Sequence, residues 1–151
     1  MYSVDKVEVI LTVPSIEETA AWYERVLGWT GHYDVFDAEG RCQFGSVMRG
    51  EKGFNLSRAP EEITSYSNDD ANFTALIAVD DVDAVYAKVV ESGVAPDSAP
   101  ENQLWGGRTF SMRDFDGFRL TFFQQVETVT IEEVRRRHQE ALRRNDQRRR
   151  I

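Results

Sequence analysis

Apolar and polar positions near the start of the chain first alternate and then change to a helical spacing. From Val7 to Val13 every second residue is apolar, which predicts a strand with one uniformly apolar face. Ser15 and Glu18 then form a capping box, and apolar residues at helical spacing continue to a predicted stop at Gly28. Three short β-runs separated by glycine-containing turns follow, at residues 29–33, 41–48 and 54–58.

The same order recurs in the second half of the chain. Residues 73–79 predict a strand, and a helix with the same apolar plan ends at Gly93. Two aromatic-rich β-runs, 105–110 and 118–123, then flank the sequence Asp-Phe-Asp-Gly at 114–117. Because Asp caps its own backbone and Gly accepts a positive φ, this sequence predicts a hairpin turn. The repeat predicts an α+β fold of two β-α-β-β-β modules, at about 4–59 and 71–125, with a polar linker or flap at 60–70 between them.

A helical extension is predicted after this domain of residues 1–125. In the segment 126–151, Thr130 and Glu133 form another capping box. The helix would carry a narrow apolar stripe of Ile131, Val134, His138, Ala141 and Leu142. A stripe this narrow does not stabilise a lone helix, so we expect it to dock on the body of the protein or on a second subunit.

The duplicated strand–helix unit, the Trp-Gly-Gly-Arg-Thr-Phe run at 105–110 and the Asp-Phe-Asp-Gly turn together resemble the vicinal oxygen chelate superfamily. That superfamily groups glyoxalase I, bleomycin-resistance proteins, fosfomycin-resistance enzymes and extradiol dioxygenases, and the segment 105–117 is most similar to its bleomycin-resistance-like branch. The resemblance covers about residues 4–125. It implies a curved mixed sheet around a concave cavity that binds a small molecule, and a homodimer.

Metal-binding members of this superfamily place His, Gln or Glu at four equivalent strand positions. The resemblance puts Glu8, Asn55, Thr74 and Thr121 at these positions. One carboxylate, one amide and two hydroxyls form a poor site for a divalent metal, and neither His32 nor His138 stands at a ligand position. We therefore expect no metal or other cofactor, which argues against the metal-dependent activities of the family.

What remains is a predicted cavity with an apolar wall and a few polar groups, which suits a small organic molecule. Its expected ligand-binding residues are Glu8, Thr12, Asn55, Ser57, Thr74, Trp105, Arg119 and Thr121. Glu8 is also the candidate catalytic base: it either pairs with a cation such as Arg119 or has a raised pKa. The aromatic residues Trp29, Tyr33, Phe36, Phe44 and Phe110 are either core or ligand contacts.

Charge and composition limit the classes of partner that we expect this protein to bind. Residues 1–125 carry 10 basic and 21 acidic side chains, a net charge of −11, whereas 126–151 carry 8 and 5, or +3. The acidic body argues against nucleic acid and anionic membranes, and could attract a cationic ligand. The arginine clusters at 135–137 and 148–150 are interpreted as a solvated or self-docking helix, with a nucleic-acid arm as the alternative. Without a signal sequence or an apolar span, we expect a cytoplasmic protein, in which the lone Cys42 is core filler rather than a nucleophile.

Three functions are compatible with these residues. The leading prediction is metal-independent binding of a small molecule, as in bleomycin-resistance-type sequestration. The second is a glyoxalase-like lyase or isomerase, or another enzyme of the superfamily, that uses Glu8 as base with or without a divalent metal. The third is an interaction module in which the arginine-rich helix recruits a partner.

Overall fold

The computed structural model describes residues 1–61 and 73–150. Its first module contains five elements in the predicted order: β1 (Ile10–Val13), α1 (Ile16–Leu27), β2 (Thr30–Phe36), β3 (Cys42–Arg49) and β4 (Lys52–Arg58). They form a sheet in the order β1-β4-β3-β2, in which β1 is parallel to β4 and the other pairs are antiparallel.

The second module repeats this plan. It contains β5 (Thr74–Ala78), α2 (Val82–Glu91), β6 (Glu101–Asn102), β7 (Gly107–Arg113) and β8 (Arg119–Gln125), in the sheet order β5-β8-β7-β6. The predicted pair of β-α-β-β-β modules is confirmed, and each module has a four-stranded mixed sheet of its own. The very short β6 lies between α2 and the first aromatic-rich β-run, where the sequence pattern predicts no strand. Most of the predicted linker or flap at 60–70 lies outside the described residues.

Both module helices begin and end where their capping residues predict. The Ser15 side chain accepts a hydrogen bond from the Glu18 amide at 3.2 Å, and Gly28 ends α1 in the left-handed conformation with φ 70°. In α2 the Asp81 carboxylate accepts from the Ala84 amide at 3.0 Å. Gly93 follows its last turn with φ 89°. These caps fix where each helix starts on its sheet.

The core lies between the helices and one face of each sheet. In β1 it contains Leu11 and Val13, and in β4 it contains Phe54 and Leu56, whereas the residues between them point away from the helices. The second sheet shows the same alternation, with Leu120 and the neighbouring helix-facing residues of β8 buried. Alternation of this kind leaves one whole face of each sheet uncovered by the chain's own helices.

A turn of the second module joins the two modules. The Tyr23 hydroxyl of α1 donates to Asp114 Oδ2 at 2.6 Å, and the Thr19 hydroxyl donates to Asp116 Oδ2 at 2.6 Å. The other Asp114 oxygen, Oδ1, accepts from the amides of Asp116 and Phe118 at 3.0 and 2.9 Å, and Gly117 has φ 88°. The predicted hairpin is therefore confirmed. Its first carboxylate also anchors the opposite module, which the local pattern does not indicate.

The predicted first strand is shorter than its pattern. Apolar alternation begins at Val7, but β1 begins at Ile10 and the prediction of a strand from Val7 is wrong. The last backbone hydrogen bond with β4 is the Asn55 amide donating to the Val9 carbonyl at 3.0 Å, and Val7 is 86% exposed. Alternation shows which face of a strand is apolar, but it does not show how far a neighbouring strand pairs.

The C-terminal extension forms the predicted helix, α3 (Ile131–Arg149), with Thr130 accepting from the Glu133 amide at 3.2 Å. None of its residues is buried. Its link to the body is Arg137, which forms an ion pair with Glu127 at 2.6 Å and donates to the Leu104 carbonyl. The apolar stripe therefore has no docking surface within the described part of its own chain. In the same ranges, no helix is long and apolar enough to cross a membrane.

Candidate functional site

The outward face of the first sheet carries short polar side chains beside exposed apolar ones. Because β1 and β4 are parallel with Ile10 opposite Asn55, Thr12 lies opposite Ser57. The antiparallel partner β3 extends these two rows with Ser46, opposite Asn55, and Phe44, opposite Ser57. The predicted site residues Thr12, Asn55 and Ser57 therefore lie together on one face.

Glu8 lies at the edge of this face, but not in the environment that the sequence predicts. Its carboxylate forms an ion pair with Lys6 at 2.9 Å and a hydrogen bond with the Asn55 side chain. The hydrogen bond and charge of Lys6 lower the pKa of Glu8 below its usual value. Glu8 therefore pairs with a cation, but the cation is Lys6, so the expected partner Arg119 is wrong, as is the alternative of a raised pKa. Both failed because the segment before β1 is exposed and Glu8 is not enclosed by aliphatic side chains.

The outward face of the second sheet holds the other predicted residues. Thr74 lies opposite Arg119 across the β5–β8 pair, and Leu76 lies opposite Thr121. The Thr121 hydroxyl shares a 2.8 Å hydrogen bond with Ser111 on β7. Arg119 faces Asp97 at 3.9 Å, in place of the predicted Glu8. The Arg119 guanidinium and the hydroxyl pair of Thr121 and Ser111 therefore lie on the same face as the apolar side chain of Leu76.

Trp105 lies against this second face. Its ring makes an edge-on contact with Phe123 at 5.7 Å between centroids, and 38% of the side chain remains exposed. The ring also covers Gly107, where an added Cβ would stand 2.1 Å from two of its carbon atoms. Glycine at 107 is therefore required for Trp105 to lie where it does. The exposed ring edge remains accessible to a flat ligand.

Sequence reasoning missed the residues that complete these faces from the neighbouring strands. Ser46 and Ser111 stand beside Asn55 and Thr121, and Thr109 accepts a hydrogen bond from Gln103 at 3.0 Å. The sequence feature that could have identified Ser111 is the register of the hairpin formed by β7 and β8. Counting back from the turn at 114–117 places Ser111 opposite Thr121.

The remaining candidates separate into core and surface. Trp29 and Phe110 are buried, so they pack in the core, whereas Tyr33 and Phe36 are exposed on the edge strand β2. Cys42 is buried, its thiol donates to the Phe44 carbonyl, and burial raises its pKa, which favours core filler over a nucleophile.

The predicted site residues lie in two groups on two separate sheets. Sheet pairing does not join the modules in the described ranges, since the first sheet contains β1 to β4 and the second contains β5 to β8. Both faces expose large apolar side chains: Ile10 is 57% exposed and Leu76 is 62% exposed. Each face therefore has the mixed lining of half a cleft.

The four positions that correspond to a metal site in relatives do not fit a divalent cation. Glu8 and Asn55 touch each other on the first module, whereas Thr74 and Thr121 stand on the second sheet, and hydroxyls are weak ligands. Within 1–61 and 73–150, no group of three or more His, Cys, Asp or Glu side chains is placed to hold a metal ion.

Comparison with known proteins identifies where this architecture recurs. The chain is similar to the structure of a glyoxalase-related enzyme from Clostridium phytofermentans, with 25% identity, TM-score 0.67, and coverage of 83% of this chain and 98% of that one. It is also similar to a bleomycin resistance determinant encoded on the transposon Tn5, with 26% identity, TM-score 0.63, and coverage of 81% and 98%. A superfamily member from Sphaerobacter thermophilus, at 20% identity and TM-score 0.60, covers 79% of this chain and 97% of its own and shares the fold.

A comparison with curated protein sequences gave no match. The family model of the Glyoxalase/Bleomycin resistance protein/Dioxygenase superfamily, however, matches residues 5–122, which is most of the chain and both modules. The expected resemblance is therefore confirmed, and the chain belongs to the Glyoxalase/Bleomycin resistance protein/Dioxygenase superfamily.

Proposed function

We propose that this protein binds a small organic molecule, without a metal, on the outward faces of its two sheets. The observation that carries the proposal is the lining of these faces. Hydroxyl and amide side chains stand in register with exposed apolar ones, as in the row of Leu76, Thr121 and Ser111. A few polar groups in an apolar wall orient a small ligand while its body is desolvated.

The acidic charge of the body favours a cationic ligand. Residues 1–125 carry a net charge of −11, so their field would concentrate small cations near both faces. The half-exposed Trp105 adds an aromatic ring, whose face can stack on a flat ligand or contact a cation. A cationic, partly aromatic molecule is therefore the class that these faces suit best.

Two copies of the chain would close the cleft. Each module exposes one half-site, and side chains such as Ile10 and Leu76 remain open to water on both faces. Pairing the first face of one copy with the second face of another removes this apolar surface and brings both half-sites onto one ligand. The helix α3, whose stripe is not buried by the described part of its own chain, would add to the contact.

Metal independence rests on the donor chemistry of Glu8, Asn55, Thr74 and Thr121. A catalytic role for Glu8 loses its main support because the carboxylate is exposed and Lys6 lowers its pKa. A base with a lowered pKa takes up a proton poorly near neutral pH. Binding therefore accounts for these residues better than proton transfer by Glu8.

The proposal is tested by thermal shift with a panel of small cationic and aromatic compounds, with and without a chelator. We expect at least one compound to raise Tm equally in both conditions. For such a compound, Thr121→Val and Asn55→Leu should each weaken binding by about tenfold, measured by calorimetry, because each removes a polar contact. The exposed Thr128→Val is the matched control and should bind normally.

Two results would overturn the proposal. One is turnover of a substrate only in the presence of a divalent metal. The other is a bound compound whose affinity is the same in Thr121→Val, Asn55→Leu and Thr128→Val.

A further inference from the structure

A cavity of about 760 Å³ lies between the two modules, apart from the polar rows of the sheet faces. The end of α1 and the β3–β4 hairpin form one wall, and β5 with the start of α2 forms the other. None of Thr12, Asn55, Ser57, Thr121 and Arg119 lines it. Its volume is in the range of sites for small organic molecules.

The floor of this cavity is apolar and rigid. Trp29 and Phe54 pack with ring centroids 5.7 Å apart, and their side chains are only 9% and 7% exposed. Phe122 of the second module supports the floor from beneath, since it is 1% exposed, and Leu76, which is 62% exposed, presents the open apolar surface of that module. An apolar ligand group placed here would contact the small exposed parts of the Trp29 and Phe54 rings and the side chain of Leu76.

Three cations stand around one rim of the cavity: Arg49 and Lys52 on the β3–β4 hairpin, and Lys88 on α2. The Arg49 guanidinium donates from Nη1 to the Gly28 carbonyl at 3.2 Å. Lys88 approaches the same residue: a Cβ on Gly28 would lie 3.5 Å from Arg49 Nη1 and 3.8 Å from Lys88 Nζ. Lys52 is the partner of Arg49 across the β3–β4 hairpin. Both lysine and arginine side chains are therefore directed to one rim.

No carboxylate in the described ranges forms an ion pair with Arg49, Lys52 or Lys88. Asp80 and Asp81 lie on the opposite wall, and the Asp81 carboxylate is engaged in capping α2. In a chain with a net charge of −8, three cations that have no acidic partner among the described residues thus border an apolar floor.

The C-terminal end of α1 explains part of this arrangement, because helix C-termini attract cations. That attraction accounts for Arg49 and Lys88 next to Gly28. It accounts neither for Lys52, which lies across the hairpin, nor for the apolar floor that all three side chains border.

We infer that this cavity is a second binding site, specific for a small organic anion with an apolar body, such as an aliphatic or aromatic carboxylate. The apolar body rests on Trp29 and Phe54. The carboxylate contacts the free N–H groups of Arg49 and the ammonium groups of Lys52 and Lys88, which form charge-assisted hydrogen bonds. This site differs from the proposed cleft in its polar and charged residues and in the charge of its ligand, although Leu76 borders both.

The probe is octanoate, compared with octan-1-ol, which has the same chain length and no charge. Binding is followed by calorimetry and by tryptophan fluorescence, since Trp29 lines the cavity. We expect one octanoate per chain and an affinity for octan-1-ol that is weaker by about tenfold or more. The double variant Lys52→Gln, Lys88→Gln should weaken octanoate by about tenfold and leave octan-1-ol unchanged.

A matched double variant, Arg143→Gln with Arg149→Gln, removes the same charge from exposed positions of α3 and should bind octanoate normally. A third variant, Ala84→Phe, fills the cavity from an exposed position on α2 and should abolish binding of both probes.

The inference is overturned if octanoate does not bind, if octan-1-ol binds as well, or if the lysine variant binds octanoate like the wild-type protein. Loss of octanoate in Thr121→Val but not in the lysine variant would place the anion on the sheet face, and would overturn this inference while leaving the proposed cleft intact. If octanoate binds only after dimers are dissociated, a second copy covers the cavity and the inference also fails.

Discussion

Replacing Asp114 by Asn should change how the stability of the protein depends on pH. Asp114 is 6% exposed, and burial raises the pKa of its carboxyl from 3.8 to about 6. Asn keeps the geometry of the turn, because its amide oxygen can accept from the Asp116 and Phe118 amides and its NH₂ group can donate to the Tyr23 oxygen. The substitution therefore removes the titration while keeping the turn.

The sign of this pH dependence follows from the direction in which the pKa of Asp114 is shifted. A carboxyl with a raised pKa binds its proton more tightly in the folded protein than in the unfolded chain. Its contribution to the free energy of unfolding therefore rises as the pH falls through 6 towards 3.8, and it is lost again above 6. Between pH 7.5 and pH 5 this amounts to about 1.4 kcal/mol in favour of the wild-type protein relative to Asp114→Asn.

The assay is urea unfolding of both proteins at several pH values, with the difference between them plotted against pH. Subtraction cancels the carboxyls that titrate in both proteins. The same gain should appear as a relative rise in Tm of about 3–6 °C. A difference that stays constant from pH 7.5 to pH 5 would refute the reasoning. A difference of opposite sign would show that the hydrogen bonds to Asp114 outweigh its burial and lower the pKa.

Three further predictions concern the stability of the protein and its assembly. Tyr23→Phe leaves Asp114 Oδ2 without its donor and should cost about 1.5–3 kcal/mol in urea unfolding at pH 7. Tyr86→Phe is the control, and an equal loss there would contradict the role of the hydrogen bond. Gly107→Ala places a methyl group against the Trp105 ring and should lower the free energy of unfolding by about 1–3 kcal/mol. The loss should be smaller in a Trp105→Ala background, because the clash is then absent. If the losses of the two single variants simply add in the double variant, this contact is refuted. Deleting residues 127–151 should leave the free energy of unfolding of the body within about 1 kcal/mol, because no residue of α3 is buried. Sedimentation should show dimers of the full chain converted to monomers, and unchanged dimers would remove α3 from the proposed interface.

The fold could be predicted from the sequence because its signals are local. The capping residues Ser15 and Gly28 mark the ends of α1 through contacts within a few residues, and the turn at 114–117 contains its own hydrogen-bond acceptors. Strand parity is local too, so the alternation predicts that Thr12 and Thr121 point away from the buried side chains of their strands, as they do.

The site could be predicted only in part, because partners across the sheet or between modules have no local signature. Glu8 was expected beside Arg119, but the distance between them depends on how the modules are joined, and that joint rests on the contact of Tyr23 with Asp114. The cavity between the modules was missed for the same reason. Lys52 and Lys88 are far apart in the sequence, and only the packing of the two modules places them around one floor.

The alternation in the sheets separates the residues that hold the fold together from those that would contact the proposed ligand. The helix-facing side chains of β1, β4 and β8 fill the core, so exchanging them would cost stability. Their outward neighbours contribute little to packing, so mutation can vary them one at a time at small cost to folding. Since the chain carries two such faces on duplicated modules, each half of the cleft can diverge while the other is kept. Over evolutionary time, new ligand preferences can therefore arise by drift on one face without a loss of the folded state.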